Sequence, residues 1–170
     1  MRIFRQVKSF SVPEITIKHG NVRLPYQKHQ PLDEIKSELE KTGDPSKLIN
    51  IDYLRYKHLT AVKELIESGN DSVPDDFTYP IVTAVVGDIA FLPFPFEIFS
   101  GISMRLRAYS GYQNTMCLTC ANGYNAYLPT EDQLCLSGYE IVVFRYASVY
   151  SLADNTDENI INETLRILEQ

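Results

Sequence analysis

The chain has 170 residues, of which 44% are hydrophobic and 22% charged, a balance that supports a packed core and excludes a disordered chain. The net charge of −6 comes without a concentrated basic patch, which argues against phosphate-backbone binding and leaves nucleic acid out of the expected partners. No run of about 18 apolar residues occurs, so no membrane span is expected, and the polar first twenty residues do not resemble a secretion signal.

Residues 7–18 read as a strand, because Ile15 and Ile17 alternate with Thr16 and Lys18. Residues 21–31, with Pro25 and Pro31, read as a loop. Residues 32–41 fit a short amphipathic helix: Ile35 and Leu39 are four apart, and Asp33 and Glu34 occupy the first turn. Gly43, Asp44 and Pro45 end it. The clearest helix covers residues 51–68, with Leu54, His58, Leu59, Val62, Leu65 and Ile66 on one face and Gly69 as its stop.

Near Asn70 the pattern changes from helical to strand-like. Residues 77–92 suggest two buried strands with a turn at Val86, Gly87 and Asp88. Helical spacing returns over residues 96–109, with Pro95 near the start. Residues 115–121 read as another strand, and residues 122–140 as a long polar and aromatic segment. Residues 157–168 close the chain as an amphipathic helix with Ile160, Ile161, Leu165 and Leu168 inward. This order predicts one α/β domain over residues 1–170, a mixed sheet with helices mainly on one face. The helix over residues 51–68 is expected to pack on a sheet that includes residues 77–92 and 115–121.

The three cysteines, Cys117, Cys120 and Cys135, cannot all pair within the chain, which points to a reducing, cytoplasmic setting. Cys117 and Cys120 are three apart; in a strand their sulfurs diverge, so they read as structural rather than as a redox or metal pair. His19, His29 and His58 are scattered and form no close pair, and His58 reads as a packed side chain. No P-loop, dinucleotide fingerprint or nucleophile elbow is present.

Glu97 follows Phe94, Pro95 and Phe96. It reads either as a first-turn carboxylate that complements a helix dipole or as a site carboxylate delivered to the end of a sheet. Downstream, Asn122 and Gly123 offer a turn, and Tyr124 and Tyr127 lie on a segment too polar for core and too aromatic for a linker. Phenols held on such a loop can transfer protons or bind a Lewis-acidic metal, or they can belong to a surface lid that packs on its own rings. Gly138, Tyr139 and Glu140 add another phenol and another carboxylate.

The stretch FLPFPFEIFSGISMRLR, then ANGYNAYLPT, then GYE, resembles the C-terminal part of the catalytic domain of neutral (non-lysosomal) ceramidases and their bacterial relatives. The motif-bearing part covers residues 78–140. The family cleaves the N-acyl bond of ceramide at zinc, so the resemblance implies an amidohydrolase of sphingolipid metabolism in which zinc activates water against an amide carbonyl. It implies Glu97 and Tyr127 as metal ligands. It implies Tyr139, twelve positions beyond Tyr127, as the catalytic residue that stabilises the oxyanion. Tyr124 and Asn122 are the candidate substrate-binding residues.

Phe96 stands where the family motif has glycine, and the residues after Glu140 lack the family's run of small side chains. The family's histidine ligands belong to an N-terminal half with no counterpart in these residues. The expectation is therefore a ceramidase-like fragment, inactive alone, whose partners are that missing half, an N-acyl lipid substrate and a possible second copy. Zinc is expected only in the complete protein. The other reading is a non-catalytic binding or assembly domain that retains the fold.

Overall fold

In strand β2 (Asp76–Val86), Tyr79, Ile81, Thr83 and Val85 are buried while Thr78, Pro80 and Val82 are exposed, the period of two that one covered sheet face imposes. The computed structural model describes residues 13–170. Strand β1 (Ile15–Pro25) runs antiparallel to β2 along its whole length, from Ile15 opposite Val86 to Pro25 opposite Asp76. The strand therefore extends through residues expected to form a loop, because Pro25 needs no N–H at the end of a ladder. Of the expected strand over residues 7–18, the first part lies outside the described residues.

Gly87, at φ 58°, and Asp88 turn the chain into β3 (Ile89–Pro93), as the sequence suggests. Strand β4 (Glu97–Ile98) follows, then helix α3 (Ser100–Tyr109) and strand β5 (Asn114–Leu118). β5 returns parallel to β3, which makes a mixed sheet of order β1-β2-β3-β5. Strand β6 (Tyr127–Leu128) pairs with β4 in a separate two-stranded unit.

Helices α3 and α5 (Thr156–Leu168) cover the inner face of the sheet. Ile102 and Leu106 from α3, with Ile160 and Ile167 from α5, bury completely against Val22, Leu24, Ala90 and Leu92. Gly20 sets the approach of α5: a Cβ there would fall 2.5 Å from the Ile167 side chain.

Helix α2 (Asn50–Glu67) is the expected helix, but it does not form the sheet's cover. Its buried residues, Leu59 and Val62, join Ile35 of α1 (Leu32–Lys41) and the half-buried Val149 in a second, smaller cluster. α2 packs between α1 and α4 (Tyr139–Tyr146). The physical reason is competition: α3 and α5 already occupy the inner sheet face. Helix α4 itself, eight residues long, begins at the end of the polar and aromatic segment and runs on through residues to which the sequence reading gave no element.

Candidate metal and catalytic site

Residues 94–96 fix the site. Phe94 and Phe96 are buried, and Phe96 sits edge-on to Phe77 and Tyr79, with ring centroids 6.1 and 5.9 Å away. These contacts anchor the backbone between β3 and β4. Its carbonyls then hold the loop that follows β5. Ala121 N–H donates to Phe94 O at 2.8 Å, Cys120 N–H to Phe96 O at 3.1 Å, and Asn125 N–H to Pro95 O at 2.6 Å.

The loop so held is strained. Cys120, Asn122 and Ala126 have φ of 51°, 62° and 75°, and Gly123 has φ of 156°. A non-glycine residue at positive φ costs about 1–3 kcal/mol and persists only where its surroundings over-determine it. The three amide bonds to residues 94–96 supply that constraint. The strand expected over residues 115–121 accordingly stops at Leu118, and Cys120 belongs to a turn. Cys120 is exposed and Cys117 half-buried, and both are free thiols, as is Cys135.

After the loop, the chain pairs β6 with β4 in parallel. Glu97 N–H donates to Ala126 O at 2.9 Å, and Phe99 N–H to Leu128 O at 3.0 Å. Glu97 and Tyr127 are direct partners in that register, so their side chains leave neighbouring strands about 4.8 Å apart on the same face. Glu97 thus lies on a short strand, not in the first turn of a helix, because α3 begins only at Ser100. The helix-dipole reading of Glu97 is overturned.

Two further tyrosines join this pair. The Tyr124 hydroxyl donates to Glu97 Oε1 at 3.5 Å. Tyr139, the first residue of α4, meets Tyr127 edge-on with centroids 6.0 Å apart. Glu97 and Tyr127 are half-buried, while Tyr124 and Tyr139 are 69% and 56% exposed, so the group forms an open rim. Asn122 is exposed on the same loop, two residues before Tyr124. Behind Tyr127 lies a cavity of about 130 Å³ lined by Phe77, Phe96, Val143, Phe144 and Leu152. Nothing in the residue pattern signalled this cavity, because its walls come from residues far apart in the chain.

The rim's carboxylates act on its phenols. The Glu97 carboxylate is the largest cause raising the Tyr124 phenol above its ordinary value. Tyr127 is raised first by desolvation and then by Glu97, Tyr124, Tyr139 and Glu140. The nearby carboxylates and the burial of Tyr127 oppose phenolate formation. Glu97 and Tyr127 are two oxygen-bearing side chains paired on neighbouring strands. Among the described residues, no three His, Cys, Asp or Glu side chains are grouped to hold a metal by themselves.

The histidines lie elsewhere. His58 Nδ1 is 2.7 Å from Ser148 O, and its ring meets Tyr146 edge-on at 5.1 Å. His29 stacks on Tyr150 at 5.7 Å. Both line a polar cavity of about 270 Å³ with Arg145 and Asp154. Burial holds both below the ordinary imidazole value.

No family model and no curated protein matches the chain. Solved structures do. Neutral ceramidase from Pseudomonas aeruginosa aligns over 98% of this chain with a TM-score of 0.52 and 16% identity. This chain has a ceramidase-like fold. A structure described as ceramidase complexed with C2 aligns over 91% of the chain, with a TM-score of 0.50 and 12% identity. The chain covers only 30% of either ceramidase chain. At these identities the ceramidase likeness is one of fold. No helix among the described residues is long and apolar enough to cross a membrane.

Proposed function

We propose that the chain is one part of a ceramidase-like, zinc-dependent amidohydrolase that cleaves an N-acyl bond, and that it supplies an incomplete site. The observation that carries this reading is the register of Glu97 against Tyr127, flanked by Tyr124 and Tyr139, on a ceramidase-like fold. Glu97 and Tyr127 would hold the metal. Zinc, when bound, supplies the charge that activates water and polarises an amide carbonyl.

The chain's own residues do the rest. Tyr124 reaches Glu97 only at long range, 3.5 Å, and would orient the carboxylate by closing on it. Tyr139 is exposed beside the Tyr127 ring, where its hydroxyl can donate to an oxyanion developing on the substrate. Asn122 and Tyr124 line the solvent side of the rim, where a substrate amide would approach. Two protein ligands are too few for a catalytic zinc, which takes three. The remainder of the fold would bring the others, which makes the isolated chain inactive.

The test is amide hydrolysis by the chain joined to the rest of its fold, assayed on N-acyl amides of graded chain length. Glu97→Gln should abolish both activity and stoichiometric zinc. Tyr139→Phe should lower kcat by about 10²–10³ with zinc retained, the loss expected for one oxyanion donor. Full activity in both variants would remove these residues from the chemistry.

A further inference from the structure

The outer face of the four-stranded sheet breaks the usual pattern. A sheet with one covered face normally alternates apolar residues inward with polar residues outward. Here, in the half of the sheet next to the Gly87 turn, most outward residues are apolar as well, whereas Asn21, Arg23 and Thr78 stand outward at its other end. Register places Ile17, Ala84, Phe91 and Met116 in one row across all four strands. The row beside it contains Ile15, Val86, Ile89 and Asn114, and Val82 faces His19 on the other side. Ile15, Ile17, Val82, Met116 and Leu118 are 65%, 49%, 42%, 46% and 39% exposed. No Asp, Glu, Lys or Arg stands in these rows, although the chain carries a net charge of −6.

We infer that this face is the docking surface for the polypeptide that supplies the rest of the ceramidase-like fold, which would lay an apolar, uncharged layer on it. The inference rests on the proposed function for the identity of that polypeptide. Three observations favour this occupant. First, 98% of this chain accounts for only 30% of a ceramidase chain, so the fold has more than twice as much polypeptide to place. Second, the chain leads directly from the patch to the incomplete site. Leu118 ends β5 on the outer face, and the loop from Cys120 carries Tyr124 back to Glu97. A partner seated on Leu118 is therefore only a few residues along the chain from the loop that carries Tyr124 and Tyr127.

Third, area favours a large partner over a second copy. At about 3.3 Å per residue and about 4.8 Å between strands, the apolar rows project about 300 Å². Two copies closed face to face on them would bury about 600 Å² in total, short of the roughly 1,000 Å² of a specific interface. A partner that covers both the rows and the rim exceeds that limit. The absence of charge suits sheet-on-sheet packing about 10 Å apart, in which side chains interdigitate without solvent.

The experiment pairs the purified chain with the fold-completing polypeptide of its source organism, produced separately, and measures the dissociation constant by calorimetry. Four chains are compared: wild type, Ile17→Lys with Met116→Lys, Leu118→Lys, and Glu97→Gln. Circular dichroism checks that each is folded, which the exposed positions of the lysines favour. The double lysine variant should bind at least 100-fold more weakly than wild type and Leu118→Lys should show an intermediate loss, while Glu97→Gln is read for the zinc content of the complex alone. Undiminished binding by the folded lysine variants overturns the inference. So does failure of the wild-type pair to associate, the lack of any such polypeptide in that genome, or a wild-type homodimer through this face that excludes the partner. A complex that forms through the face but holds no zinc dependent on Glu97 supports the docking surface and defeats the metal site, so the two failures are told apart.

Discussion

Gly123 is the position where one added methyl group should disturb the site most directly. A Cβ at this residue would stand 2.9 Å from Pro95 Cβ, closer than carbon atoms approach, and its φ of 156° is one that side chains other than glycine rarely adopt. Pro95 cannot retreat, because its neighbours Phe94 and Phe96 are buried and its carbonyl accepts from Asn125. Backbone strain of about 1–3 kcal/mol and overpacking of a similar size are therefore both in play for Gly123→Ala, partly relieved by loop movement. A net loss of about 2 kcal/mol lowers Tm by about 4–8 °C in a chain of this size. Gly111→Ala provides the control. Its φ of 76° is also left-handed, but a Cβ there meets nothing within 4 Å, so only a backbone cost of about 1 kcal/mol is expected. Thermal unfolding of both variants measures the difference. Equal Tm values would mean that residues 94–96 do not clamp the loop, and the account of how Tyr124 and Tyr127 are positioned would fail.

His58→Gln should flatten the acid limb of the stability curve. Burial lowers the folded-state pKa of His58, so the unfolded chain binds more protons, and stability is lost as pH falls from about 6.5 toward the folded value. Urea midpoints at pH 5 and pH 7.5 read the effect, and an unchanged slope in the variant would assign the acid sensitivity elsewhere. Phe96→Ala should cost about 3–5 kcal/mol, since the ring is 2% exposed and packed edge-on to two others. Chemical denaturation gives the number, and a loss under 1 kcal/mol would show that Phe96 is not an anchor. Arg105→Ala should cost about 1–3 kcal/mol, because it leaves the 3%-exposed Asp157 without its 2.9 Å partner. A neutral substitution there would mean that Asp157 finds solvent. The chain alone should bind zinc weakly, with equilibrium dialysis at neutral pH giving no stoichiometric submicromolar site. Such a site, abolished by Glu97→Ala, would mean that the chain is complete.

Helices α1, α2 and α5 were legible to within a residue or so, because each carries an apolar stripe at period 3.6 between clear stops. The β2–β3 hairpin was legible from Gly87 and the runs beside it. What α2 packs against was not, since an apolar stripe names no partner and α5 competes for the same sheet. The site shows the same division. Glu97, Tyr124, Tyr127 and Tyr139 could be singled out in the sequence, and the structure brings them together on one rim. The pairing of Glu97 with Tyr127 could not be read from periodicity, because β4 and β6 are two residues each. Helix α3 was expected to begin at Phe96, since Ile98 and Phe99 continue the helical spacing of Ile102, Leu106 and Tyr109, but Ile98 lies on β4 and is buried there. The positive φ of Ala126, next to Tyr127, left no trace in the residue type, because alanine ordinarily avoids that region.

The most direct test of the partial metal site is an anomalous difference map at the zinc edge from crystals of the chain assembled with the rest of its fold. The expected result is a single peak about 2 Å from both a Glu97 carboxylate oxygen and the Tyr127 phenol oxygen, absent from crystals of Glu97→Gln. A fully occupied zinc peak held by other residues, with Glu97 and Tyr127 making no contact to it, would contradict the account.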